Sequence, residues 1–98
     1  YISGQIPVNP ENGKVDALTI EQQAEQVLQN IGAILQAAGY GYSDVVKSTI
    51  FITDMKNFSA VNEVYKKYYT EKFPARSTVA VKELPLGVMV EIETIAVK

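Results

Sequence analysis

The segment Val88–Val97 carries apolar residues at both even and odd positions, and no other feature limits the fold as strongly. Read as a strand, it places Val88, Val90, Ile92 and Ala96 on one side. Met89, Glu91, Glu93, Ile95 and Val97 fall on the other. A sheet that is apolar on both faces needs a covering layer on each.

The rest of the chain offers two helices to do this. Thr19 and Gln22 fit a capping box, and Ala24, Val27, Leu28, Ile31, Ile34, Leu35 and Ala38 recur at spacings of three and four. Gly39 sits where a left-handed cap would end the helix, so the pattern predicts a helix over 20–38. The β-branched run Val45–Thr53 reads as a strand. Asp54 to Asn57 supplies turn and capping chemistry, and Phe58, Val61, Val64, Tyr65 and Tyr68 then repeat at helical spacing. A second helix is expected over 58–69, ended before Pro74. Tyr1–Ile6 has strand character interrupted by Gly4; Pro7 and Pro10 break it, and Asn12-Gly13 marks a turn. Ser77–Lys82 is strand-like, and the Pro and Gly of Glu83–Gly87 suggest a hairpin joining it to Val88–Val97.

The order is β-α-β-α-β-β in 98 residues, which is one domain large enough to bury a core. The economical architecture is α+β, with two helices on one face of a mixed sheet and right-handed crossovers between parallel strands. Both helices are then used, and the sheet's other face stays bare. A second copy of the chain is the expected cover, making the protein a homo-oligomer.

Composition narrows the chemistry. The chain has no Cys and no His, which excludes thiolate nucleophiles, zinc-thiolate sites, imidazole bases and Ser-His-Asp triads. Carboxylates, hydroxyls, Lys, Arg, backbone groups and water remain. Nine basic residues against eleven acidic give a net charge of −2, which argues against a general nucleic-acid partner. No apolar run approaches the roughly 20 residues of a membrane span, nothing resembles a signal peptide, and the expected compartment is the cytoplasm. The glycines make no phosphate-loop spacing.

Arg76 is the only arginine. It follows Phe73-Pro74-Ala75, so it leaves a stiff platform, and its planar fork suits a carboxylate. The plainer alternative is an interface salt bridge or a solvated side chain. Glu91 and Glu93 share a strand face about 7 Å apart, within apolar neighbours that favour a basic carboxylate. The alternative is a structural ion or a polar stripe in an oligomer cavity, and spacing does not say which of the two faces Arg76. Ser3-Gly4 either presents a hydroxyl and a backbone N–H at a bend or forms a simple β-bulge. Asn62 lies off the apolar stripe of the second helix, where a solvated side chain is the plain expectation.

Four segments together carry a family resemblance. They are Ser3-Gly4-Gln5-Ile6-Pro7, the run Val46–Asp54, the run Phe58–Tyr65, and Phe73-Pro74-Ala75-Arg76-Ser77-Thr78-Val79 leading to Leu84-Pro85 and Val90-Glu91-Ile92-Glu93. This pattern resembles the Rid family of reactive intermediate deaminases, also called the YjgF family, over essentially the whole chain.

The resemblance implies a chorismate-mutase-like (YjgF-type) fold and a homotrimer with a central β-barrel, helices outside and sites in clefts between subunits. It implies hydrolysis of short 2-imino acids, tautomers of 2-aminoacrylate and its homologues, to 2-keto acids and ammonia. Arg76 would grip the substrate carboxylate and Glu91 would position or activate water. Ser3, Gly4, Asn62 and Thr78 match other cleft-lining positions. No metal or organic cofactor is implied. The sequence departs from the family in two places. Family chains usually begin with a further segment containing Gly-Pro-Tyr, whereas this sequence opens at Tyr1, so that segment is expected to be lacking. Thr78 stands where Cys is common. A non-catalytic binder of 2-keto or other short carboxylic acids is the alternative. Family members have also been described as ribonucleases or translation inhibitors, a reading that the acidic balance and missing His disfavour.

Overall fold

Local chemistry sets the two helices. In the computed structural model, which describes Tyr1–Lys98, α1 spans Ile20–Ala37 and begins with the expected capping box. Thr19 Oγ1 accepts from the Gln22 amide at 3.1 Å, and Gln22 Oε1 accepts from the Thr19 and Leu18 amides. Ala38 caps the helix one residue earlier than the periodicity suggests, and Gly39 turns the chain at φ +81°. The second helix, α2 (Phe58–Tyr68), follows a short 3₁₀ turn in which Asp54 Oδ1 accepts from the Lys56 amide.

The strands are β1 (Ile2–Gln5), β2 (Val45–Ile52), β3 (Ala75–Ala80) and β4 (Val90–Ala96). They form one mixed sheet in the order β1-β4-β2-β3. The expected hairpin between the last two strands does not form. Instead β3 pairs parallel with β2, and β4 runs antiparallel between β1 and β2. The physical reason lies in β4 itself. A strand with apolar residues on both faces belongs at the middle of a sheet, where it has partners on each edge, and a polar strand such as β3 tolerates an edge. The loop that resembled a hairpin turn is a 3₁₀ turn at Pro85–Gly87, with Leu86 at φ +59° and Gly87 at φ +68°. It carries the chain from the β3 edge back to the centre.

Both helices cover the same face. Val27, Leu28 and Ile31 of α1 and Val61, Val64 and Tyr65 of α2 meet Ile50, Ile52, Val90 and Ile92 of the central strands in one core. Burial of each such side chain contributes about 2 kcal/mol relative to exposure. Tyr42 ties down the middle of α1: its hydroxyl donates to the Leu28 carbonyl at 2.7 Å, in space left by the missing side chain of Gly32. The opposite sheet face presents Phe51, Val79 and Ile95, with Val79 and Ile95 about two-fifths exposed within the single chain.

One polar tie joins the helices at their outer edge. Glu25 of α1 accepts from the Tyr68 hydroxyl and from Lys67 Nζ at 2.9 Å. The Tyr68 bond, then Lys67, hold the Glu25 carboxyl below its ordinary range, while burial followed by the Glu25 bond pushes Tyr68 up to about 12. A lowered carboxyl pKa contributes stability that is present above the unfolded value and lost as pH falls through the folded one. A raised tyrosine does the reverse, losing its contribution as pH climbs from its ordinary value towards 12. Glu25→Gln is therefore expected to flatten the loss of urea resistance between about pH 5 and about pH 3. An acid limb as steep as the parent's would show that this tie does not matter.

Candidate functional site

Arg76 is held by the start of β3. Pro74 precedes the strand, and the parallel register sets Arg76 beside Ser48 and Thr78 beside Ile50. Ser48 and Ile50 are buried beneath the helices, so Arg76 and Thr78 project to the helix face at the sheet's open edge. The Arg76 guanidinium lies over the Tyr65 ring, with Cζ 5.1 Å from its centroid, and 5.9 Å from that of Phe58. Its Nη1 donates to Asn62 Oδ1. It makes no ion pair within the chain. A hollow of about 320 Å³ beside it is lined by Asn62, Tyr65, Lys66, Tyr69, Pro74 and Arg76. Two cations and aromatic walls suit an anionic ligand. A larger hollow along α1 is lined by Asp16, Glu21, Glu25 and glutamines, a setting that repels a carboxylate.

Arg76 thus has no salt-bridge partner within its own chain, and Asn62 is bonded to it rather than left to solvent. Asn62 is half-buried and bonds Arg76 of β3; it and Tyr65 follow Phe58 by four and seven residues, on one helix face. Phe58 and Tyr65 were legible only as core-stripe positions; the signal for their second role was this shared spacing with Asn62.

The second cluster lies on the other sheet face. Glu91 pairs with Phe51 and Glu93 with Thr49, and both carboxylates point away from the helices. The β1–β4 register slips between Ile2 and Gln5, so Ser3-Gly4 is a β-bulge. The bulge also has a steric role. A Cβ built on Gly4 would stand 2.5 Å from Glu91 Oε2, so the carboxylate rests against backbone that only glycine leaves open. Glu93 differs: its Oε2 accepts from the Tyr1 hydroxyl at 3.0 Å. That bond, together with the charge of Glu93, raises the Tyr1 hydroxyl's pKa. Periodicity left the two glutamates equivalent, and these contacts separate them.

The chain therefore brings Arg76, Asn62 and Thr78 together at one sheet edge, and Ser3, Gly4 and Glu91 together near the other. It does not bring the two groups to each other. Arg76 and Glu91 stand two strands and three residues apart, about 14 Å between Cα atoms, and face opposite ways. No group of three or more Asp or Glu side chains gathers closely enough to hold a metal ion. No helix is long and apolar enough to cross a membrane.

The family model described as "Endoribonuclease L-PSP", the YjgF/Rid group, matches residues 1–98. The chain belongs to the Rid family. A goat (Capra hircus) protein named 2-iminobutanoate/2-iminopropanoate deaminase is 48% identical over 98 residues, all of this chain and 72% of that protein. Among solved structures, a Rid-family protein of unknown function from Yersinia pestis superposes with a TM-score of 0.93 at 53% identity, covering 96% of this chain and 75% of that one. E. coli TdcF, solved with bound serine, gives 0.92 at 45% identity over 98% of this chain and 77% of its own. These likenesses bear out the α+β architecture with two helices on a mixed sheet.

The Gly4 contact generates a test within this Rid chain. Gly4→Ala is expected to swing the Glu91 carboxylate away while costing less than about 1 kcal/mol, because the group displaced is the end of a flexible side chain. A crystal structure of the variant with Glu91 unmoved would contradict the contact.

Proposed function

We propose that this protein hydrolyses reactive 2-imino acids to 2-keto acids and ammonia, as a homotrimer whose sites lie between subunits around a central barrel. The observation that carries the reading is Arg76: a guanidinium oriented by Asn62 and two rings, at an open edge, with no carboxylate of its own chain to hold. The deaminase names of relatives near 48% identity support the same class.

The chemistry requires little more than placement. Arg76 takes the substrate carboxylate through two parallel N–H bonds. The adjacent imine carbon is already electrophilic. Water adds there to give a carbinolamine, the nitrogen gains a proton and leaves as ammonia, and the carbinolamine oxygen loses its proton to become the keto oxygen. Glu91 is the base that takes the water proton and returns one to the nitrogen. Ser3 and Gly4 sit beside Glu91, and Thr78 beside Arg76, as the walls of the two half-sites. Fixing a carboxylate and a water in this way supplies several kcal/mol of orientation. Because Arg76 and Glu91 face apart within one chain, each complete site takes Arg76 from one copy and Glu91 from another.

The direct test is ammonia release from freshly generated 2-iminopropanoate. Binding of 2-ketobutyrate without turnover would favour a non-catalytic carboxylate binder. Arg76→Lys is expected to lose most activity through both affinity and turnover, since a lysine keeps charge but not the fork. Glu91→Gln should lower turnover roughly a hundredfold or more while 2-ketobutyrate still binds.

Mixing these two inactive variants tests the shared site. Random reassembly of equal amounts should restore about one quarter of parental activity, because one pairing in four joins an intact Arg76 to an intact Glu91. No recovery from subunits shown to exchange would place both residues in a single chain and overturn the proposal.

A further inference from the structure

We propose that Tyr65 is a positioning residue for Arg76, its ring face fixing the plane of the guanidinium that receives the substrate carboxylate. This rests on the reading of Arg76 as the carboxylate anchor. Arg76 Cζ lies 5.1 Å from the Tyr65 centroid and 5.9 Å from that of Phe58, both within the range of a cation–π contact. Asn62 holds the same group by Nη1. The three residues share one face of α2, so a single rigid helix supplies every intrachain contact that orients the guanidinium.

Tyr65 itself has little freedom. It is 4% exposed, and its ring stacks on Tyr69 at 4.4 Å and 28°. Its hydroxyl is buried and has no hydrogen-bond partner within the chain, and burial raises its pKa. The ring is thus held by Tyr69 while it carries the cation. An arginine has side-chain rotamer entropy to lose on binding, and a platform of this kind removes part of that loss in advance. The same interaction holds in the bound ground state and at the transition state, so its loss should appear mainly in affinity.

The experiment compares Tyr65→Leu, Tyr65→Phe and Phe58→Leu with the parent and with Arg76→Lys, in the full-length protein. The readouts are KM and kcat for 2-iminopropanoate hydrolysis and the Kd of 2-ketobutyrate. Tyr65→Leu removes the ring face; KM and Kd should rise about tenfold while kcat falls less than about threefold. Tyr65→Phe keeps the face and should restore most of the affinity that the leucine variant loses. Phe58→Leu, at a side chain 38% exposed, should raise KM and Kd about threefold without threatening the fold.

A thermal melt accompanies each variant; if Tyr65→Leu does not fold, Phe58→Leu and Tyr65→Phe decide. A general loss of packing would lower kcat and the amount of active protein together, and would not spare kcat. The proposal is overturned if the leucine variants that fold bind 2-ketobutyrate within twofold of the parent while Arg76→Lys binds it poorly. If Arg76→Lys also binds like the parent, the anchor reading itself falls.

Discussion

Every functional placement in this chain depends on β4 being hydrogen-bonded along both edges. Thr94 and Ile92 pair with β1 on one side, and the whole strand pairs with β2 on the other. Its inward face, Val90, Ile92 and Thr94, closes the core beneath the helices, and its outward face carries Glu91 and Glu93. With β4 at the centre, β3 has β2 as its one strand neighbour and becomes the outer edge. That edge lets Arg76 reach round to α2 and still meet solvent.

The two half-sites occupy opposite margins of the sheet as well as opposite faces. Glu91 is next to β1 and Arg76 is on β3, and both of those strands have an unpaired edge. Copies of the chain can set one margin of a subunit against the other margin of its neighbour, reciprocally in a two-fold dimer or head-to-tail in a closed ring. In the proposed homotrimer the join is head-to-tail, and closing the ring uses both margins of every copy. The bare face with Phe51, Val79 and Ile95 then has a cover without a third helix. On the proposed reading, the divided site and the need for a neighbouring copy are two consequences of one topological fact.

Much of the fold was legible in the residues. The capping box at Thr19, the three-four stripe of α1 and the β-branched run of β2 each report a local backbone preference, and each appears where expected within one or two residues. Strand neighbours are not local. The Pro and Gly of the Glu83–Gly87 loop signal a change of direction, but not whether the chain returns beside its predecessor or past it. The two-faced pattern of Val88–Val97 held that answer, because it demands a central position. At the site, Arg76, Glu91 and Gly4 were visible as residue types, whereas their opposition across the sheet follows from the register. Tyr65 and Phe58 escaped notice as partners of Arg76 because an aromatic on an apolar stripe already has a sufficient explanation in the core.

The absence of His and Cys fits a reaction whose difficulty lies mainly in geometry. A 2-imino acid carries its own activation, since the conjugated carboxylate and imine nitrogen leave the central carbon open to water. An enzyme for such a substrate gains little from a strong nucleophile, which would have to be regenerated after each turnover. It gains more from holding one anion in one plane and one water on one side of it. A lone arginine on a proline-stiffened strand, stacked on a clamped tyrosine, meets the first need with rigid parts. A glutamate resting on a glycine bulge meets the second with a side chain that can still turn. The proposed anchor and the proposed base sit on different margins of the sheet. On this reading, subunit assembly is the step that sets the distance between them.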